Sequence, residues 1–186
     1  MIVGAGIIGL AHALAARRAG LRTAVLDREA RAIGASVRNF GFVTVTGQPE
    51  GITWRRARRS RDVWAEIAPL AGIDVLQRGL LMCARRPEAV TVIEEFAAGA
   101  MGEGCRVLRG NALAAHRPAL RGDLLAALHS PHELRVESRE AIPRLTAWLQ
   151  QAHDVALFPR VAVHAVDTGR VETSAGRFTA DHVVVC

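Results

Sequence analysis

The sequence predicts an α/β fold built around a Rossmann-like nucleotide-binding domain. Two observations support this prediction. A glycine-rich turn occupies residues 4–9, and a strand–helix–strand pattern is complete within the first 27 residues. Two strands joined by one helix over so short a distance lie parallel in a single sheet. The last third of the chain adds short strand-like segments separated by glycine-containing turns.

The first strand–helix–strand unit is read from its apolar pattern. Residues 1–3 are the end of a buried strand, and residues 8–19 are a helix that ends at Gly20. Residues 23–26 form the second strand, which ends at Asp27. Residues 34–48 contain glycines but little periodicity, and we expect a loop there.

Three further helices and six further strands follow. Ser138 is expected to be the N-cap of the last helix, because its hydroxyl can accept a backbone N–H. The predicted helices are 53–70, 87–100 and 138–153, and the predicted strands are 79–84, 124–129, 155–158, 162–166, 170–173 and 182–186.

The charge of the chain admits two interpretations. All 24 basic residues are arginines, and the formal net charge is +6. Such a charge suits nucleic acid or an anionic membrane, but it also results when arginine simply replaces lysine, and we favour the second interpretation. It would also suit an anionic cofactor or substrate.

The helix at residues 53–70 contains five arginines between Arg55 and Arg61, flanked by Trp54 and Trp64. We expect the tryptophans, Ile67 and Leu70 to form a buried stripe and the arginines a solvated face, rather than a nucleic-acid surface.

Composition also narrows the cellular context. The chain has 186 residues, half of them hydrophobic, which is ordinary for a soluble globular protein. No segment reaches the roughly 18 apolar residues of a membrane span. The three cysteines are widely spaced and the seven histidines are scattered. We therefore expect reduced thiols, a cytoplasmic location and no metal site.

The turn Gly4-Ala5-Gly6-Ile7-Ile8-Gly9 has the G-x-G-x-x-G spacing of dinucleotide-binding proteins. Gly4 permits a tight turn, Gly6 lets the backbone approach a pyrophosphate, and Gly9 lets the helix pack on the strand. The start of the following helix offers free N–H groups and a positive dipole to the phosphates.

Asp27 follows Gly9 by 18 residues. A carboxylate at the end of the second strand accepts hydrogen bonds from the hydroxyls of the adenosine ribose, which fits FAD or NAD and repels NADP. The alternative is a surface Asp that pairs with Arg28 or Arg31. With the glycine turn in place, we favour ribose binding.

Three segments together resemble a known family: Gly-Ala-Gly-Ile-Ile-Gly-Leu-Ala from Gly4, Val-Leu-Asp-Arg-Glu from Val25, and Gly-Ala-Ser-Val-Arg-Asn-Phe-Gly from Gly34. They resemble the D-amino-acid oxidase-type FAD oxidoreductases, which oxidise glycine, sarcosine and D-amino acids. The third segment and residues 133–139 are most similar to a subgroup associated with aminophosphonate breakdown.

The resemblance implies roles for individual residues. Ile7 and Ile8 would offer N–H groups to the pyrophosphate, Arg28 would lie beside the adenine, and the backbone of Val163 would hold the adenine edge. The flavin loop supplies the rest: Ala35 and Ser36 would contact the pyrophosphate, and Arg38, Asn39, Phe40 and Gly41 would run beside the flavin ring.

The resemblance also implies domains, a reaction and an incomplete chain. Residues 1–47 and 140–186 would form the FAD-binding domain, and residues 48–139 would begin an inserted antiparallel-sheet substrate domain. The implied reaction oxidises the C–N bond of a small anionic amine by hydride transfer to flavin. Family members are roughly twice as long, so we expect this chain to be the N-terminal half. A non-catalytic dinucleotide-binding fragment and a NAD-linked dehydrogenase stay open as alternatives.

Overall fold

The computed structural model describes residues 1–116, 120 and 122–186. In chain order the elements are β1 (Ile2–Val3), α1 (Ile7–Arg18), β2 (Ala24–Asp27), β3 (Phe42–Val43), α2 (Ile52–Leu70), β4 (Val75–Ala84), α3 (Pro87–Ala98), β5 (Arg106–Leu108), α4 (Gly110–Ala114), β6 (Ala126–Val136), α5 (Ser138–His153), β7 (Ala156–Pro159), β8 (Val163–Asp167), β9 (Arg170–Thr173), β10 (Gly176–Thr179) and β11 (Val184–Val185). Parallel and antiparallel sheets both occur, which confirms the predicted α/β class.

The chain divides into two compact units. The first contains Met1–Gly41, Ile67–Asp74 and Glu137–Cys186, and the second contains Phe42–Glu66 and Val75–Val136. The assignment of residues 1–47 and 140–186 to a cofactor domain, and of residues 48–139 to a substrate domain, stays a prediction.

The first unit is built on a four-stranded parallel sheet with the order β11-β1-β2-β7. Ile2 pairs with Val25 on one side and with Val184 on the other. Val25 and Leu26 are fully buried, as expected for central strands of a covered parallel sheet. Helices α1 and α5 are neighbours in this unit, and Leu10 and Leu145 contribute apolar side chains to its buried core.

A separate antiparallel sheet of β8, β9 and β10 also belongs to the first unit. Strand β10 was not predicted, because its sequence, Gly-Arg-Phe-Thr, is short and only partly apolar. Val171 of β9 is fully buried.

The second unit is built on an antiparallel sheet in which β6 is central. Strand β4 pairs with β6 along one edge, and β5 and β3 pair in succession with β6. Helix α3 contributes Val90 and Ile93 to a core that includes Leu128 of β6.

Strand β6 is longer than predicted, because it continues through Pro131, where the sequence suggested an end. Proline cannot donate to a strand ladder, so it is tolerated at bulges and between partners. Pro131 lies in the interval between the residues of β6 that pair with β5 and those that pair with β3. The register with β4 also shifts there, between Arg78 and Leu80.

Two predictions about helix ends and faces were wrong. Glu137, and not Ser138, is the N-cap of α5, with its carboxylate accepting the N–H of Arg139 at 3.3 Å. In α2, Leu70 is 61% exposed and does not continue the buried stripe.

The arginines of α2 are not all solvated either. The guanidinium of Arg58 stacks over the Trp54 ring at 5.2 Å and lies 3.6 Å from the Glu103 carboxylate. Arg61 is half-buried beside Asp62. Stacking and ion pairing draw these two side chains away from solvent, whereas Arg55, Arg56 and Arg59 are exposed.

Candidate functional site

The glycine turn begins where β1 ends. Gly4 has a φ of +106°, a conformation that side-chain-bearing residues rarely adopt, and its N–H donates to the Leu26 carbonyl at 2.7 Å. A Cβ at Gly4 would lie 2.8 Å from the Cys186 carbonyl oxygen. The turn is thus held between the ends of β2 and β11.

The other two glycines of the motif are constrained by close approach. A Cβ at Gly9 would lie 1.8 Å from the Gly4 carbonyl oxygen, which is backbone and cannot move aside. A Cβ at Gly6 would lie 3.0 Å from the Ser36 hydroxyl. Protein atoms therefore already pack against both positions, and glycine is the residue that fits there.

Helix α1 begins at Ile7 with Gly6 as its N-cap, and glycine has no side chain with which to cap the helix. The Ile7 N–H donates to the Ser36 hydroxyl oxygen at 2.9 Å. The first turn contains no acidic residue, and Arg17 and Arg18 lie in the last turn. The positive end of the helix dipole therefore faces the turn with no acidic residue in the helix's own first turn, and such a helix start favours an anion.

Asp27 holds the backbone around the turn. One carboxylate oxygen accepts the Ala5 N–H at 2.7 Å and the other accepts the Glu29 N–H at 2.8 Å. Each carboxylate oxygen can accept a second hydrogen bond, so Asp27 keeps capacity for ribose hydroxyls. Arg28 lies 3.5 Å from the Glu29 carboxylate, which gives that arginine a partner other than Asp27.

A pocket of about 490 Å³ lies at these residues. Val3, Asp27 and Cys186 place it at the carboxyl ends of β1, β2 and β11, which is where open parallel sheets bind ligands. The predicted residues that line it are Gly4, Gly6, Ile8, Gly9, Asp27, Arg28, Ala35, Ser36 and Val163.

A larger depression of about 1180 Å³ opens at the other ends of the same strands. Ile2, Ala24, Ala156 and Val184 line it, so it lies at the amino ends of the sheet. It contains neither the glycine turn nor Asp27. We regard the smaller pocket as the candidate site because of this difference in position and chemistry.

The remaining predicted residues are close to the pocket in sequence but are not among its lining residues. Ile7 contributes its N–H to Ser36, as described. Asn39 donates from its side chain to the carbonyls of Ala35 and Ser36 at 2.9 and 3.0 Å and accepts the Gly41 N–H at 2.7 Å. The Arg38–Gly41 segment is therefore organised by its own hydrogen bonds, and Phe40 is 80% exposed.

Several lining residues were missed from the sequence. Val161 is buried, and its N–H donates to the Asp27 carbonyl at 2.9 Å, which joins the connection after β7 to the end of β2. Ile33 and Arg31 also line the pocket. No motif marks these positions, and only the β2–β7 pairing brings Val161 there.

A second polar cluster lies in the second unit. Glu133 on β6 is only 5% exposed, and one of its carboxylate oxygens accepts the N–H groups of Thr46 and Val45 at 2.6 and 3.3 Å. Burial acts to raise the pKa of Glu133, but the nearby Thr46 and Ser130 side chains and the two backbone N–H groups outweigh it and bring the pKa below its ordinary value.

Within residues 1–116, 120 and 122–186, no group of three or more His, Cys, Asp or Glu side chains could hold a metal ion. In that same part, no helix combines the length and apolar character needed to cross a membrane.

Known proteins show the same architecture. A family model described as "DAO: FAD dependent oxidoreductase" matches residues 1–186. A search of curated proteins gave no significant match. The solved glycine oxidase from Bacillus cereus ATCC 14579 is 21% identical, with a TM-score of 0.80 over 100% of this chain and 53% of that chain.

Two more solved structures are similar in fold. L-amino acid deaminase from Proteus vulgaris is 20% identical, with a TM-score of 0.83 over 100% of this chain and 46% of its own. L-alpha-glycerophosphate oxidase from Mycoplasma pneumoniae with FAD bound is 18% identical, with a TM-score of 0.73 over 99% of this chain and 51% of its own. The chain thus spans about half the length of these structural relatives.

Proposed function

The chain belongs to the DAO family of FAD-dependent oxidoreductases, and from this premise we propose that its first unit binds FAD for the oxidation of a small anionic amine. FAD is the cofactor of this family. The observation that carries the proposal is the convergence of the Gly4–Gly9 turn, Asp27 and Ser36 on one pocket at the carboxyl ends of parallel strands.

The residues of the pocket fit the ADP part of FAD. Gly6, Ile8 and Ser36 line the pocket at the start of α1, where a pyrophosphate would receive a backbone N–H from Ile8 and a hydroxyl from Ser36. Asp27 would accept the ribose hydroxyls, while Arg28 and Val163 would lie at the adenine.

When bound, FAD supplies the two-electron oxidant for the C–N bond of the substrate. The part that this chain contributes is binding and orientation. Asp27 and the glycine turn would fix the adenosine and the phosphates, and Arg38, Asn39, Phe40 and Gly41 would continue beside the ring. No acid–base residue is assigned, because the described residues offer no histidine dyad beside the pocket.

We further propose that the substrate is an amino acid or an aminophosphonate. The similarity of residues 34–41 and 133–139 to the aminophosphonate-associated subgroup supports the second class. Two structural relatives are a glycine oxidase and an L-amino acid deaminase, which supports the first class. The net charge of +6 favours an anionic substrate in either case. A cytoplasmic location accompanies this proposal and is supported by the three free cysteines.

The test is a titration of the purified chain with FAD, followed by visible absorbance of the gel-filtered protein. Retention of flavin by the wild type, and its loss in a Gly6→Leu variant that fills the pyrophosphate space, is the expected result. A protein that retains no FAD after reconstitution contradicts the proposal. Preferential retention of NAD would instead support a NAD-linked dehydrogenase.

Nucleotide binding without turnover is a second candidate function. It is favoured by the observation that residues of the adenosine and pyrophosphate side line the pocket, whereas Arg38–Gly41 do not. Anaerobic addition of glycine, sarcosine or an aminoalkylphosphonate to the FAD-loaded chain distinguishes amine oxidation from binding without turnover. Bleaching of the flavin indicates oxidation, and unchanged absorbance with all three indicates binding alone.

A further inference from the structure

The hydroxyl of Ser138, the first residue of α5, makes a contact that helix formation does not require. Ser138 is 5% exposed, and its hydroxyl donates to the Asn39 carbonyl at 3.0 Å, with the Val37 carbonyl at 3.5 Å. The N-cap position is already taken by Glu137. The hydroxyl therefore joins α5 to the Ala35–Gly41 segment, about a hundred residues earlier in the chain.

Asn39 extends this contact toward the pocket. Its side-chain amide donates to the carbonyls of Ala35 and Ser36, and its side-chain oxygen accepts the Gly41 N–H. Ser36 in turn accepts the Ile7 N–H through its hydroxyl. A continuous series of hydrogen bonds thus runs from Ser138 through Asn39 and Ser36 to the first turn of α1.

We propose that Ser138 and Asn39 are positioning residues for the cofactor, and that they hold Ala35 and Ser36 in the conformation that receives the FAD pyrophosphate. This inference rests on the proposed function, because Ala35 and Ser36 line the pocket assigned to FAD. Neither Ser138 nor Asn39 lines that pocket, so their effect on the pyrophosphate passes through Ala35 and Ser36, whatever contact Asn39 makes beside the flavin ring.

The energetic reason is preorganisation. Removal of the Ser138 hydroxyl takes away the part-buried hydrogen bond that joins the Asn39 carbonyl to α5, and with it the net stabilisation that this bond gives the ordered segment. The Ala35–Gly41 segment then populates other conformations in the free protein. Since FAD binds only the ordered form, the apparent dissociation constant for FAD equals the intrinsic constant divided by the fraction of protein in that form, and it rises as that fraction falls.

The first measurement is the affinity for FAD, determined from the fluorescence of the free flavin. Ser138→Ala and Asn39→Ala are each expected to weaken binding roughly fivefold to tenfold. The double variant is expected to lose less than the product of the two effects, because both residues act on one segment. Thr146→Ala is the matched control, since its hydroxyl lies on the same helix but donates to the Ile142 carbonyl of that helix.

The second measurement needs no cofactor. Amide hydrogen exchange at residues 37–41 is expected to accelerate in Ser138→Ala, with Gly41 as the main reporter, while exchange in β2 stays unchanged. Ser138→Thr keeps the hydroxyl and is expected to restore slow exchange and tight binding. Recovery of binding by this variant would not follow from a general loss of stability.

The outcomes separate the two proposals. A wild-type chain that does not bind FAD contradicts the proposed function. A wild-type chain that binds FAD, with Ser138→Ala equal to it in exchange and in affinity, overturns the positioning role. Faster exchange at residues 37–41 with unchanged affinity also overturns it, because the segment would then not limit binding.

Discussion

At the scale of single residues, the Asp27 carboxylate holds the local backbone and is also proposed to bind the ligand. Both of its oxygens accept backbone N–H groups, from Ala5 and from Glu29, so they close the turn before any ligand is present. The same side chain lines the pocket. A site whose ribose-binding group is already fixed loses little entropy when the ligand arrives.

Replacement of Asp27 by alanine is expected to weaken FAD binding by at least about thirtyfold, or roughly 2 kcal/mol. Asp27→Asn should be intermediate, because it keeps one carbonyl-type acceptor. Equilibrium dialysis against FAD measures both. The control is Asp167→Ala, which removes another carboxylate that accepts a backbone N–H, outside the pocket. Equal losses in Asp27→Ala and Asp167→Ala would contradict the assignment.

Gly9 is a position in the same site where the packing leaves no room for a side chain. Gly9→Ala is expected to destabilise the chain by several kcal/mol, because its Cβ would overlap the Gly4 carbonyl oxygen. Gly34→Ala is the control: Gly34 also lines the pocket, but its Cβ would meet nothing within 4 Å. Thermal unfolding of both variants compares their stabilities. A Gly9→Ala protein as stable as Gly34→Ala would show that a Cβ at position 9 does not overlap the Gly4 carbonyl oxygen.

At the scale of elements, β6 combines apolar and buried polar residues. Glu133 fixes the backbone of Val45 and Thr46, just after β3, and thereby joins that segment to the central strand of the second unit. Because its pKa is lower in the folded protein than in the unfolded chain, the carboxylate form stabilises the fold.

This stabilisation is complete above the ordinary carboxyl pKa of 4.5 and is lost as the pH falls through the lower folded value. Glu133→Gln is therefore expected to be less stable than the wild type by about 1–3 kcal/mol at pH 7. The difference in unfolding free energy between the wild type and Glu133→Gln should become smaller below pH 4.5. Urea unfolding of both proteins at several pH values measures this difference. The control Glu172→Gln removes only an exposed ion pair with Arg177 and should stay within about 1 kcal/mol at all pH values.

Sequence patterns predicted the elements whose stability is local and missed those that depend on distant partners. The Gly4–Gly9 turn, α1 and β2 follow from spacing alone. Ser138 has a typical capping residue type, yet its hydroxyl bonds to Asn39 of a distant loop, which no local rule contains. Strand β6 passes Pro131 only because its partners change at that point.

The candidate site also contains residues that the sequence predicted and residues that only the fold brings there. The glycines of the turn and Asp27 were named from their spacing, and Ser36 from the family resemblance; the fold places all of them around one pocket. Val161 and Ile33 were missed, because their part in the lining comes from strand pairing and loop path, which leave no periodic signal in the sequence.

At the scale of the whole molecule, the pocket belongs entirely to the first unit. ADP is expected to bind there and to slow amide exchange in β1 and β2. At an ADP concentration of a hundred times its dissociation constant, exchange should slow by up to about a hundredfold. Exchange in β6 of the second unit should not change. Mass spectrometry of exchanged peptides measures both, and equal protection of β6 would show that the units do not respond separately.

The position of β1 also has a consequence for the order in which the protein assembles during synthesis. Ile2 meets Val25 soon after both leave the ribosome, but its other partner is Val184. Closing so long a loop is slow, because many chain conformations must be lost before the contact forms. The strand that leads into the pocket therefore keeps one open edge while the second unit is synthesised. This edge of the pocket can close only after residues 184–186 have been made, when the Cys186 carbonyl reaches Gly4.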